Sequence, residues 1–373
     1  MTNKLKNIEL SAKKIIRLIL ESGSDPEVID SPQNVFTESL VSKILVLRQD
    51  RIGDVLVSIP FFRALRQKFP LAQIDVVLSK KNIGAGKAIE PYINHFWTYT
   101  KRVKEVSHLM GDIRHEQYDL VIDMFDNESA TSSALVRYSG AKFSLGLQKD
   151  NQNVYSHVVP LKSKHKYHIV ERIANLLLPF GIDPQKTDLT LKYNIDESDS
   201  SKIQEFVTLG QNKIRVGVNL AGSNRNKFWG TENYISLINK IEDDPTFEVL
   251  IFAASEYNKE ADEIIAATSS TRAPQTDSSH EYALQLSTCD LIISPDTAAL
   301  HYAAAFGKPC IAFYNTQSKL IKGLPWYPYG VPHKSFEADS GNISDISPDT
   351  AYQGFLELKE IMHEKINSEG SKS

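Results

Sequence analysis

Three stretches of this 373-residue chain carry residues whose types and spacing could do chemistry. In "RQDRIGDVLVSIPFFRALRQKFP" (Arg48–Pro70), Asp54 follows Gly53 where an apolar run gives way to helical spacing. A carboxylate at that junction can cap the helix or serve as a general base. The N–H groups of a helix start favour the ionised form, so Asp54 is expected to be weakly basic. That suits a nucleophile that loses its proton late, as in attack on an oxocarbenium-like sugar, and suits abstraction of a carbon-bound proton poorly. Gly53 either lets the backbone approach a ligand or permits an unusual turn. Asp50, four residues before Asp54, is expected in the preceding loop.

The second stretch, "NLAGSNRNKFWGT" (Asn219–Thr231), brings Ser223, Arg225, Lys227 and Trp229 after an apolar strand. A glycine-containing loop with a hydroxyl and a lysine, leading into a helix, can cradle a phosphate. Lys227 can equally be a solvated surface lysine and Trp229 a packing anchor. In the third, "SPDTAALHYAAAFGKP" (Ser294–Pro309), Pro295 and Asp296 make a turn, Thr297 can cap the helix, and Gly307 with Pro309 ends it. Thr297 and His301 stand four apart and share a helical face near its start. Backbone N–H groups, a hydroxyl and an imidazole would then converge where a pyrophosphate could sit. Asp296 can also be a plain turn residue, and His301 a half-buried histidine on an alanine-rich helix. Neither GxxxxGK[ST] nor a GxGxxG after the first strand of either half is present, which weakens a nicotinamide or flavin reading.

Alternating strands and helices must position these loops. "KILVLR", "QIDVVLS" and "YDLVIDMF" read as strands of a first half, and "IRVGVNL", "FEVLIFAA", "CDLIIS" and "PCIAFY" as strands of a second. Near-continuous apolar strands between amphipathic helices predict parallel sheets covered on both faces. The charged, Ser-rich "NIDESDSSKIQEF" (Asn194–Phe206) reads as the junction. In such sheets ligands bind beyond the carboxyl ends of the strands, which is where all three stretches fall. The last helix is predicted to start at Ser347 as N-cap with Pro348 at its first position.

Bulk composition narrows the class. Hydrophobic residues make up 41% and charged residues 24%, as in soluble globular proteins, and a net charge of −4 gives no global field for nucleic acid. Two cysteines, Cys289 and Cys310, suit a reducing compartment. No apolar run reaches the ~18 residues of a membrane span. The N-terminus lacks a signal-peptide cleavage site, so a cytoplasmic location is expected. "KLKNIELSAKKIIRLIL" (Lys4–Leu20) has two readings, a helix packed on the body or a basic amphipathic helix resting on an anionic membrane surface.

Taken together, "RIGDVLVSIPFFRALRQKFP", "AGSNRNKFWG" and "SPDTAALHYAAAFGKP" stand in the order and approximate spacing of glycosyltransferase family 9, the lipopolysaccharide heptosyltransferase family. "YDLVIDMF" and "FSLGL" also look like strands of its N-terminal domain, and the resemblance runs from about Lys43 to the final helix. It implies an α/β chain of the GT-B fold, two Rossmann-like domains with parallel sheets facing across a cleft. The expected layout is a partly helical extension (1–42), an acceptor domain (43–195), a donor domain (196–345), a C-terminal helix (346–366) and a disordered tail (367–373). The resemblance implies inverting, metal-independent transfer of a sugar, usually heptose from ADP-heptose, onto a lipid-linked lipopolysaccharide or lipooligosaccharide core, with no cofactor. It leaves room for a peripheral contact with the inner face of the cytoplasmic membrane.

Residue by residue, Asp54 matches the family's general base, with Arg51 and Gly53 on the acceptor side. Lys227, in Ser-x-x-x-Lys-x-Trp spacing with Ser223 and Trp229, matches the lysine on the donor phosphate. Asp296, Thr297 and His301 match the donor-binding motif, with Ala298 among the donor-site positions, and Glu256 or Glu260 would supply an acidic contact with donor sugar or ribose. Ala298 stands where the family motif reads Asp-Thr-Gly, and "FYNTQ" (Phe313–Gln317) replaces the usual Phe-Gly-Pro-Thr. Those departures keep open a same-fold transferase using another nucleotide sugar, an epimerase or phosphorylase on the same frame, or a non-catalytic nucleotide-sugar-binding protein.

Overall fold

The computed structural model describes residues 23–207, 213–220, 225–315, 324–338 and 340–370. Lys4–Leu20, Ser223 and the end of "FYNTQ" lie outside them. The chain divides into two compact units, Met1–Ser163 with Val170–Leu189 and Lys164–Ile169 with Thr190–Ser373.

The first unit is built on strands β1 (Glu27–Val28), β2 (Lys43–Leu47), β3 (Gln73–Ser79), β4 (His95–Tyr99), β5 (Leu120–Asp123), β6 (Phe143–Leu147) and β7 (His157–Val159). They lie in the order β1-β7-β6-β5-β2-β3-β4, every pair parallel. Ile44, Leu45, Val46 and Leu47 of β2 are all fully buried, because helices cover both faces of the sheet. The second unit holds β8 (Ile214–Asn219), β9 (Phe247–Phe252), β10 (Thr271–Arg272), β11 (Leu291–Pro295), β12 (Cys310–Tyr314) and β13 (His333–Glu337), in the order β10-β9-β8-β11-β12-β13, again all parallel. The α/β class and the two Rossmann-like parallel sheets read from the sequence are therefore present.

With β1 set aside, each sheet follows the doubly wound order 3-2-1-4-5-6. The order reverses between β2 and β5 in the first sheet and between β8 and β11 in the second. At such a reversal the connections leave neighbouring strands in opposite directions, and a crevice opens beyond their carboxyl ends. Topology thus selects four loops, those after β2, β5, β8 and β11. The three stretches singled out by their chemistry occupy three of them.

One predicted helix is two. Val55, Ile59, Phe62, Leu65 and Phe69 have helical spacing and are each at most 1% exposed. The chain nevertheless forms α1 (Ile52–Leu56) and then α2 (Ile59–Lys68). Pro60 is the cause, since it has no N–H for the carbonyl of Leu56 and its ring would clash there. The other helices used below are α3 (Val103–Glu116), α4 (Thr231–Glu242), α5 (Asn258–Ala267), α6 (Ala298–Ala305) and α7 (Pro348–Gly370). Ser347 opens α7 as expected, its Oγ accepting the Thr350 N–H at 3.1 Å. Among the described residues no helix is long and apolar enough to cross a membrane.

Trp229 is the packing anchor of the second unit. It is fully buried, stacks on Phe313 at 4.5 Å and donates its indole N–H to Ile346 O at 2.9 Å. It therefore ties the loop after β8 to β12 and to the segment before α7. Trp229→Ala should destabilise the protein by about 3–5 kcal/mol. Trp229→Phe should cost about 1–3 kcal/mol, chiefly through the carbonyl left unpaired. Urea unfolding followed by circular dichroism reads both.

Candidate functional site

In the first unit the site grows from the end of β2. Arg48 leaves the strand and turns inward, with only 2% of its surface exposed. Its Nε donates to Asp54 O at 2.8 Å and to Ser58 Oγ at 2.9 Å. Nη1 donates to Asp50 Oδ2 at 3.0 Å and to Met124 O at 3.2 Å. Nη2 stands 3.6 Å from Asp54 Oδ1 and makes no hydrogen bond among the described residues. Asp54 is the third residue of α1, and its Oδ2 accepts the Arg51 N–H at 3.1 Å. It therefore does close the helix start, while its other oxygen faces the guanidinium. The Asp54 and Asp50 side chains remain 13% and 20% exposed, so a ligand can reach both. Gly53 sits inside α1 without a positive φ, so it makes no unusual turn. Arg51 is exposed beside it.

The electrostatics reverse one expectation. Burial is the largest influence on Asp54 and, with Asp126, raises its proton affinity on balance against the lowering by Arg48, the Arg51 N–H and the Arg51 charge. The helix-terminus argument gave the opposite sign. It fails because α1 has only five residues, which leaves a weak terminal field, whereas desolvation acts on the whole charge. Asp50 lies in the loop, as expected, and is pushed up to about 7 by burial, against Arg48 and with help from Asp54 and Asp123.

The loop after β5 completes this end of the sheet. Asp123 is fully buried and accepts from the Tyr155 hydroxyl at 2.6 Å, the Phe125 N–H at 3.1 Å and Lys149 Nζ at 3.4 Å. Asp126 pairs with Arg172 at 2.5 Å. Arg48 and Asp123 were missed by the sequence reading, although Asp54 and Asp50, two of the Arg48 partners, were named in it. The available signal was a charge at the end of each apolar strand, "KILVLR" and "LVID", because such a charge must find partners.

In the second unit the loops after β8 and β11 meet. Lys227 Nζ donates to Asp296 O and to Asp296 Oδ2, both at 2.6 Å. Lys227 is thus no free surface lysine, and Asp296 is more than a turn residue. Thr297 is the N-cap of α6, its Oγ1 accepting the Ala299 N–H at 3.2 Å. Asn219, the last residue of β8, donates to Ser294 Oγ at 2.9 Å and to Thr297 Oγ1 at 3.2 Å, which fixes the helix start against the neighbouring strand. Ala298 is the half-buried first residue of α6. Glu256 is exposed in the turn after β9, while Glu260, on α5, pairs with Arg225 at 2.5 Å.

His301 lies one turn into α6, only 4% exposed, with Trp326 edge-on at 6.0 Å. Its Nδ1 has no hydrogen-bond partner among the described residues. Burial pushes its pKa down to about 4, so it is neutral at pH 7. As pH falls below about 6.5 the unfolded chain takes this proton first, and stability is lost between about pH 6.5 and 4. Asp50 works in the opposite direction, because its folded carboxyl holds a proton more tightly than the unfolded one. A comparison of wild type with His301→Leu isolates the histidine. The variant should flatten the acid side of the urea midpoint against pH by up to about 3 kcal/mol.

The model of glycosyltransferase family 9 (heptosyltransferase) matches residues 106–342. Lipopolysaccharide heptosyltransferase 3 of Escherichia coli K12 is 25% identical over 300 residues, covering 74% of this chain and 82% of that protein. Among solved structures, a family 9 glycosyl transferase from Veillonella parvula superposes with a TM-score of 0.75 at 17% identity, covering 88% of this chain and 98% of that one. The E. coli ADP-heptose lipopolysaccharide heptosyltransferase II does so with a TM-score of 0.68 at 21% identity, covering 87% and 99%. These likenesses carry the GT-B fold. With the family model matched over residues 106–342, more than half of the chain, the chain belongs to glycosyltransferase family 9 and is a glycosyltransferase.

Proposed function

We propose that the protein transfers heptose, with inversion and without a metal, from ADP-heptose to a lipid-linked lipopolysaccharide core acceptor. Family membership and the names of the relatives support the donor and acceptor classes. One observation carries the chemistry. A carboxylate of raised proton affinity sits at the switch point of one sheet, and a lysine beside a helix start sits at the switch point of the other.

In this reading the first unit holds the acceptor, with Arg51 and Gly53 at its edge, and the second holds the donor. The acceptor hydroxyl gives its proton to Asp54 as its oxygen attacks the anomeric carbon. The bond from that carbon to the diphosphate breaks, and ADP leaves with the electron pair. A base works best when its proton affinity approaches the working pH, and the buried setting of Asp54 moves it that way. Lys227 and the N–H groups of α6 stabilise the charge that grows on the diphosphate. Asp296 holds the Lys227 ammonium in place. Thr297 and Ala298 line the helix start, and Ser223, outside the described residues, is a further donor-binding candidate from its spacing to Lys227. His301, neutral and buried, donates or accepts a hydrogen bond but carries no charge to the phosphates. Glu256 is the better candidate for the ribose or sugar contact, because Arg225 engages Glu260. A lipid-linked acceptor puts the reaction at the inner face of the cytoplasmic membrane.

Ala298 supports a second reading, the same transfer with another nucleotide sugar, because a Cβ at the helix start narrows the space for a diphosphate. Mass spectrometry of products from a panel of nucleotide sugars, with acceptor extracted from the native envelope, should give a heptosylated product with ADP-heptose. The anomeric proton should report inversion by NMR, and chelator should leave the rate unchanged. Donor incubated alone should come back unaltered, since a changed sugar would mean an epimerase. Asp54→Ala should lose about 10²–10⁴-fold in transfer with ADP affinity retained, and Lys227→Ala should weaken ADP binding itself. Binding without turnover under every donor would mean a non-catalytic protein.

A further inference from the structure

The guanidinium of Arg48 serves two carboxylates. Nη1 is committed to Asp50 at 3.0 Å and Met124 O at 3.2 Å, while Nη2 makes no hydrogen bond among the described residues and forms only a long ion pair with Asp54 Oδ1 at 3.6 Å. Asp50 Oδ1 is likewise buried without a hydrogen-bond partner among the described residues. The arrangement therefore stops just short of a direct Arg48–Asp54 hydrogen bond. A shorter, hydrogen-bonded ion pair there would hold Asp54 ionised more firmly and make it a poorer proton acceptor. We propose that Asp50 is a positioning residue for the transfer step: it occupies Arg48 and offsets its charge, which leaves Asp54 able to take the acceptor's proton. This rests on Asp54 being the base.

The other charges around the pair do not replace Asp50. Asp126 faces Asp54 from the loop after β5 but is committed to Arg172. Asp123 faces Asp50 and is held by Lys149 and Tyr155. Arg51 is exposed, and its contribution to Asp54 is smaller than that of Arg48. Asp50 is thus the carboxylate that shares the Arg48 guanidinium with Asp54. Both carboxyls are held above their usual range by burial, so they titrate as a pair. The charge of Asp54 raises the proton affinity of Asp50.

Two readouts test this on the full-length protein. In substrate-free protein, pH-dependent infrared difference spectra give the carboxyl band that disappears in Asp54→Asn. Its midpoint should fall by roughly one pH unit or more in Asp50→Asn, the size expected when a cation faces a single carboxylate. Asp50→Glu should keep the wild-type midpoint. Asp50→Ser creates the same neutral site with a smaller side chain, so the outcome does not hang on one variant folding. In transfer assays with ADP-heptose and a heptose-deficient lipooligosaccharide, the acid limb of kcat should shift the same way. Plateau kcat should drop roughly three- to tenfold at unchanged donor KM. An unmoved midpoint in Asp50→Asn, with Asp54→Asn inactive, overturns this inference alone. Full transfer by Asp54→Asn overturns the base assignment and this role with it.

Discussion

A guanidinium taken out of water must be surrounded by acceptors, or the fold around it is lost. Arg48 meets that demand by gathering acceptors from three places: its own loop at Asp50, the junction of α1 and α2 at Asp54 O and Ser58, and the end of β5 at Met124. The conformation of the loop after β2 follows from this one side chain. So does the position of Asp54, whose carbonyl is an Arg48 acceptor while its carboxylate stays at longer range. The break before Pro60 keeps α1 short, and the cluster forms at the carboxyl edge of the sheet.

The second unit solves the corresponding problem with mostly neutral groups. Asn219 reaches from β8 to Ser294 and Thr297, and stitches the two strands at which the order reverses. An ion pair among the described residues, Lys227 with Asp296, then joins their two loops. The two crevices are therefore tuned differently by burial. One concentrates charge in a desolvated pocket and raises proton affinity. The other leaves a cation about a quarter exposed beside its carboxylate partner.

Much of this was legible in the chain. The apolar runs gave the strands, and alternation with helical spacing gave parallel sheets. Residue types that recur after strand ends gave Asp54, Lys227, Asp296 and Thr297. Arg48 was not legible as a hub, because its partners at Met124 and Ser58 become neighbours only once β2 and β5 pair. The sign of the Asp54 shift was misread for a related reason, since a cap is a local feature and desolvation is a tertiary one. Pro60 did announce the helix break, but the apolar spacing across it was regular enough to hide it. A half-buried place was one of two readings of His301, beside a pyrophosphate contact, and the side chain is more enclosed than that, on an alanine-rich helix.

The short strand β1 had no periodic signature, yet it changes what the segment before Lys43 does. Glu27 and Ile29 donate backbone N–H groups to Ser156 and Val158, which takes up the bonding groups on the outer side of β7. Phe36, only 1% exposed, is wedged among Phe143, His157 and Phe180. A shortened protein beginning at Lys43 would retain every chemical group discussed above. It would also present an open sheet margin beside an emptied aromatic socket, an invitation to self-association that the intact chain withholds.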